Sequence, residues 1–110
     1  DEEQRFGVTH KENIKLLNPY HGVEIVKTAG LDKYKARIHI NGNFVIGTYN
    51  TIEKAAIAYN KAVDMAHAHG IEKNYPENYI ESISGKEYAD IYTSVTVSDK
   101  YVQYLQQFDL

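Results

Sequence analysis

Between Tyr20 and Gly70 the spacing of apolar residues changes period, and the changes mark the elements. Val23 and Ile25 alternate with Glu24 and Val26, the mark of a half-buried strand running from Tyr20 to Lys27. Thr28 to Asp32 reads as a turn or short loop. In the next run Ala36, Ile38 and Ile40 point one way while Lys35, Arg37 and His39 point the other. Asn41-Gly42 is a strong hairpin signal because both positions tolerate positive φ. A third strand follows from Asn43 to Tyr49, with Phe44 and Ile46 inside, Asn43 and Val45 outside, and Gly47 at a bulge or close approach.

From Asn50 or Thr51, both good N-caps, the period becomes helical. Ile52, Ala55, Ala56, Tyr59, Ala62, Val63 and Ala66 form one apolar stripe, with Glu53 in the first turn and Gly70 as the terminator. The alanines let a helix sit close on a sheet. These patterns predict an α+β fold: a three-stranded antiparallel sheet packed against one long alanine-rich helix, with short N- and C-terminal extensions.

The flanks are less regular. Residues 1–19 are read as an N-terminal extension in which Thr9 and Glu12 have the form of a capping box, predicting a short helix that ends at Asn18-Pro19. Residues 20–80 make the strand-and-helix domain, its last part, Ile71 onward, extended or irregular. In the C-terminal extension, 81–110, Gly85 to Asp90 is too short to assign and Thr93 to Val97 has strand propensity. Ser98-Asp99 is expected to cap a last helix with Tyr101, Val102, Leu105 and Phe108 on one face. Those apolar residues are expected to cover the small core or to form a homodimer or protein-partner interface.

The sequence has no cysteine, which excludes disulfides and thiolate metal sites and fits an intracellular setting, cytoplasm with nucleoid or nucleus. No apolar run approaches a membrane span, and a start at Asp1 is expected of a domain cut from a longer chain. The net charge of −3 is unevenly spread. Residues 20–50 carry Lys27, Lys33, Lys35 and Arg37 against Glu24 and Asp32, so the sheet is mildly basic on an acidic molecule.

Five short motifs, in order and at matching separations, resemble the Apetala-two/ethylene-response-factor DNA-binding domain. They are Tyr20-His21-Gly22-Val23, Tyr34-Lys35-Ala36-Arg37-Ile38-His39, Val45-Ile46-Gly47-Thr48-Tyr49-Asn50-Thr51, Ala55-Ala56-Ile57-Ala58-Tyr59-Asn60 and Lys73-Asn74-Tyr75-Pro76. The resemblance implies a sheet laid in the major groove of double-stranded DNA and a role in transcription regulation or in a mobile element. The lysine- and isoleucine-rich sequence looks closer to bacterial and phage versions of the family. The reading face departs from the family: its first-strand arginines stand here as His21, Glu24 and Val26, its second-strand glutamate and arginine as Arg37 and His39. On the third strand Asn43 and Val45 replace an arginine and a tryptophan. Tyr59 is retained where the family can reach the DNA backbone.

The expected DNA-contacting residues are therefore Lys35, Arg37, His39, Asn43 and Val45, with Lys27 and Lys33 near the edge, His21 and Glu24 on the first strand, and Tyr59. Arg37 is the leading base reader because of its rigid donor fork; Asn43 suits an adenine edge and Val45 a thymine methyl. Glu24 either accepts from a cytosine amino group or repels phosphate. His67 and His69 project about 200° apart on a helix, which speaks against a shared metal. Nothing in the spacing of acids, histidines or hydroxyls marks a catalytic group, and no cofactor is expected. The rival reading is a protein-protein interaction domain that kept the scaffold and lost DNA binding, supported by the acidic charge and the tyrosine-rich C-terminal segment.

Overall fold

A computed structural model describes residues 20–28 and 30–108. The short helix expected between Thr9 and Pro19 lies outside them. The architecture is α+β: strands β1 (Val23–Thr28), β2 (Leu31–His39) and β3 (Asn43–Tyr49) form an antiparallel sheet in the order β1-β2-β3, followed by helices α1 (Ile52–Ala68), α2 (Gly85–Ser94) and α3 (Asp99–Gln106). Val23 pairs with Ala36 and Thr28 with Leu31; Tyr34 pairs with Tyr49 and His39 with Asn43. The β2–β3 connection is Ile40-Asn41-Gly42. Only Gly42 there has positive φ, at 124°, so the turn is one residue longer than a two-residue Asn-Gly hairpin.

Helix α1 starts where its sequence says it should. The Thr51 side chain accepts from the Lys54 backbone N–H at 3.2 Å, and Glu53 sits in the positive end of the helix dipole. It ends in a Schellman motif: Ile71 N–H bonds Ala66 C=O and Gly70 N–H bonds His67 C=O, both at 3.0 Å, with Gly70 in the left-handed region. The alanine stripe is buried against the sheet residues Val23, Ala36, Ile38 and Ile46. Ile57 and Ala58, outside that stripe, are buried as well. Ile57 shares a helix face with Lys61 and Asp64, and both of these are bonded to α2. The helix is therefore covered on two sides.

The C-terminal segment departs from its sequence reading in two ways. The stretch from Gly85 is a full helix, opened by a capping box in which Ser84 Oγ accepts from Glu87 N–H and Glu87 Oε1 accepts from Ser84 N–H. Thr93 to Val97 is not a strand. Thr93 and Ser94 finish α2, and the Thr93 hydroxyl donates back to the carbonyls of Ala89 and Asp90 at 3.1 Å, which lets a β-branched residue sit in the last turn. Lys61 Nζ donates to the carbonyls of Tyr92 and Val95 beyond it. The next four residues run along β3, where Ser98 N–H bonds Ile46 C=O at 2.8 Å.

Helix α3 forms as expected after Ser98, although the Ser98 side chain makes no capping bond. Tyr101 and Leu105 are fully buried in the same core as α1 and the sheet. The Tyr101 hydroxyl donates to Ala62 C=O at 2.6 Å, satisfying the polar end of a buried ring. Tyr104 lies 4.4 Å from the Phe44 ring, and Phe108 packs edge-on to Tyr104 at the surface. Val102 is half-buried and Phe108 exposed, so the apolar face of α3 divides into an inserted part and an outer part.

Candidate functional site

Strand β2 is the central strand, and its burial alternates from Ala36 to His39. Ala36 and Ile38 are buried toward α1, so Arg37 and His39 are exposed on the opposite face, and Lys35, half-buried, continues the same parity. A bulge on β3 keeps that face in order. Ala36 pairs with Gly47 but Arg37 pairs with Val45, so Ile46 is the extra residue. Ile46 thereby stays in the core while Val45, 47% exposed, stands opposite Arg37 on the outer face. Gly47, beside the bulge, is where the Tyr49 ring crosses the strand, and a Cβ there would run into the Tyr49 hydroxyl. That hydroxyl donates to Thr96 C=O at 2.5 Å.

One open cleft of about 370 Å³ brings together six of the expected residues: His21, Glu24, Arg37, His39, Asn43 and Tyr59, with Gly22, Tyr75 and Pro76 between them. Arg37 Nη2 lies 3.4 Å from Glu24 Oε1, a diagonal pair across β1 and β2 in which each side chain is a little under half exposed. Arg37 N–H also bonds Gly22 C=O at 2.7 Å, extending the sheet beyond β1. Gly22 has φ 74°, and a Cβ on it would overlap the Tyr59 ring. Glycine is needed there for both reasons. Tyr59 is nearly buried, and its hydroxyl titrates above the usual tyrosine value because of burial and then the Glu77 charge, so it remains a phenol at neutral pH.

The remaining expected residues are placed differently. Lys27 has the parity of Val23 and Ile25, not of Glu24, and its ammonium pairs with Asp32 at 3.1 Å across the β1–β2 turn. It is off the outer face, and the alternation of β1 itself carried that information. Lys33 lines a second cleft of about 550 Å³ with Thr48, Tyr49, Asn50, Lys54 of α1 and Ile91, Ser94 and Val95, away from the first cleft. Lys35 stands between Glu24 and Thr48 in the ladder. Val45 and Asn43 border a groove between β3 and residues 96–100.

The structure adds two residues that the sequence reading passed over. Tyr75 Oη donates to His39 C=O at 2.7 Å, and Lys73 Nζ lies 3.5 Å from His39 Nδ1 and 3.4 Å from its carbonyl. Lys73 thus brings a further cationic side chain to the His39 end of the sheet. Only the chain path after α1 places it there. His67 Nε2 is engaged with Lys73 C=O at 3.0 Å. Among the described residues no three histidine or acidic side chains converge on a point suited to a metal ion. No described helix is long and apolar enough to cross a membrane.

The fold and site together define a small helix-backed sheet that presents a polar, partly basic face. No family model, curated protein or solved structure matches the chain.

Proposed function

We propose that this domain binds double-stranded DNA, with the outer face of β2 and its flanking strands entering the major groove. The observation that carries the reading is Lys35, Arg37 and His39 on successive positions of the strand face opposite the buried Ala36 and Ile38. A groove about 12 Å wide admits a two-stranded ribbon, so β2 with a neighbouring strand can enter it and alternate side chains reach base edges. Arg37 and Asn43 supply base-reading groups at one end of that face, while Lys35 and Lys73 supply cations for phosphates. The bulge places Val45 beside Arg37, where an apolar group can meet a thymine methyl. Lys27 is not among the contacts.

The test is retention on a randomised duplex pool, with selection and sequencing, at low and moderate salt. Sequence-specific binding is expected to enrich one motif. Affinity is expected to fall with a log–log salt slope of about −0.9 per neutralised phosphate. Retention without an enriched motif would leave electrostatic attraction alone. Absence of retention at low salt would overturn the reading and turn the search to a protein partner.

A further inference from the structure

Arg37 and Glu24 are two charged groups on one face, each a little under half exposed, with Nη2 3.4 Å from Oε1. The separation is longer than the about 2.8 Å of a tight charge-assisted bond, and an exposed pair of this kind contributes at most about 1 kcal/mol to stability. Both groups retain hydrogen-bonding capacity: donors in the guanidinium fork and lone pairs on the carboxylate. The pair therefore offers donor, donor and acceptor side by side at the mouth of the cleft.

The major-groove edge of a G·C pair has the complementary order: guanine N7 and O6 accept, and cytosine N4 donates. Guanine O6 and cytosine N4 are themselves hydrogen-bond partners about 2.9 Å apart, close to the spacing of the two protein groups. An A·T pair presents acceptor, donor, acceptor, which sets the arginine against the adenine amino group and the glutamate against the thymine carbonyl. Resting on the DNA reading above, we propose that Arg37 and Glu24 act as one composite reader of a single G·C base pair, Arg37 donating to guanine and Glu24 accepting from cytosine. The negative charge of Glu24 is then part of recognition. Its partner Arg37 offsets its repulsion of phosphate.

The experiment uses synthetic duplexes carrying the motif enriched by wild-type protein, with every single base-pair substitution, titrated with wild type and with Glu24→Gln. Circular dichroism and thermal melting first establish that the exposed substitution leaves the fold intact. Wild type is expected to prefer G·C to A·T at one position by about tenfold or more. Glu24→Gln should reduce that preference at the same position and leave the others unchanged, because an amide both donates and accepts. Uniformly tighter binding of Glu24→Gln to every duplex, with an unchanged base profile, would overturn the composite reader and reduce Glu24 to a phosphate-repelling charge. Wild-type retention without an enriched motif would also overturn it while leaving DNA affinity standing. Only a failure of wild type to bind the pool at all would remove both.

Discussion

Asn60, buried in the middle of α1, bonds both backbone groups of Asn78: Asn78 N–H donates to Asn60 Oδ1 at 2.7 Å, and Asn60 Nδ2 donates to Asn78 C=O at 2.8 Å. Asn78 repeats the pattern with its own side chain, which accepts from His21 N–H at 2.6 Å and donates to His21 C=O at 3.0 Å. Each side-chain amide takes the place of a neighbouring strand's peptide group. The relay ties the chain before β1, the helix and the irregular segment 71–80 into one unit, and it sets the position of His21 at the cleft. Asn60 Nδ2 also reaches Tyr88 Oη at 3.0 Å, which brings α2 into the same network.

Replacing Asn60 by alanine leaves the buried Asn78 backbone groups without their partner. The expected loss is about 2–3 kcal/mol, read from the midpoint of urea unfolding. Asn60→Asp separates the roles: it keeps the acceptor for Asn78 N–H and loses the donors to Asn78 C=O and Tyr88. It should therefore be destabilised as well. An Asn60→Asp variant as stable as wild type would show that the donor half of the relay contributes nothing.

Lys27 and Arg37 make a controlled pair for the DNA reading, since both are cations of the sheet and only Arg37 is on the outer face. Arg37→Ala should cost roughly 1–3 kcal/mol of binding and relax preference at one base pair. Lys27→Ala should leave affinity and salt slope nearly unchanged. Equal losses from both, in titrations at one salt concentration, would mean that net charge and not the outer face governs binding.

Leu105, fully buried against the sheet and α1, tests the part played by the C-terminal segment. Leu105→Ala should destabilise the domain by about 2–5 kcal/mol in denaturant unfolding, with a midpoint independent of protein concentration. A midpoint that moves with concentration would place α3 at an interface between copies. Phe108→Ala, at the exposed end of the same segment, should change stability by no more than about 0.5 kcal/mol.

Tyr49 is pushed up to about 12 by burial, from an ordinary tyrosine value of 10.0, and Tyr92 and Tyr101 are raised too, again chiefly by burial. The folded state therefore holds protons that the unfolded chain releases. The stability gained is complete below the ordinary value and is lost as pH rises through and beyond it. Thermal melting points should fall steadily above about pH 10, and ultraviolet titration should show a group of tyrosines ionising late or only on unfolding. A flat stability curve through that range would contradict the burial of these rings.

The strands, α1 and the existence of α3 were legible because their signals are local: alternation from Val23 to Tyr49, Thr51 as N-cap, Gly70 as terminator, an apolar face after Ser98. The same alternation put Lys35, Arg37 and His39 on one face, whereas Lys27 and Lys33, expected near its edge, lie at the β1–β2 turn and in the second cleft. Local propensity failed at Thr93 to Val97, where β-branched residues suggested a strand. A strand needs a paired ladder, whereas here a capping box 9 residues before Thr93, at Ser84, had already started a helix that packs on α1. The bulge at Ile46, the Arg37–Glu24 diagonal, the arrival of Lys73 and Tyr75 at His39 and the Asn60–Asn78 relay join residues distant in sequence. The sequence by itself determined which side chains share a face, because that follows from the backbone period; the tertiary structure alone decided which faces meet, because that depends on how separate elements pack.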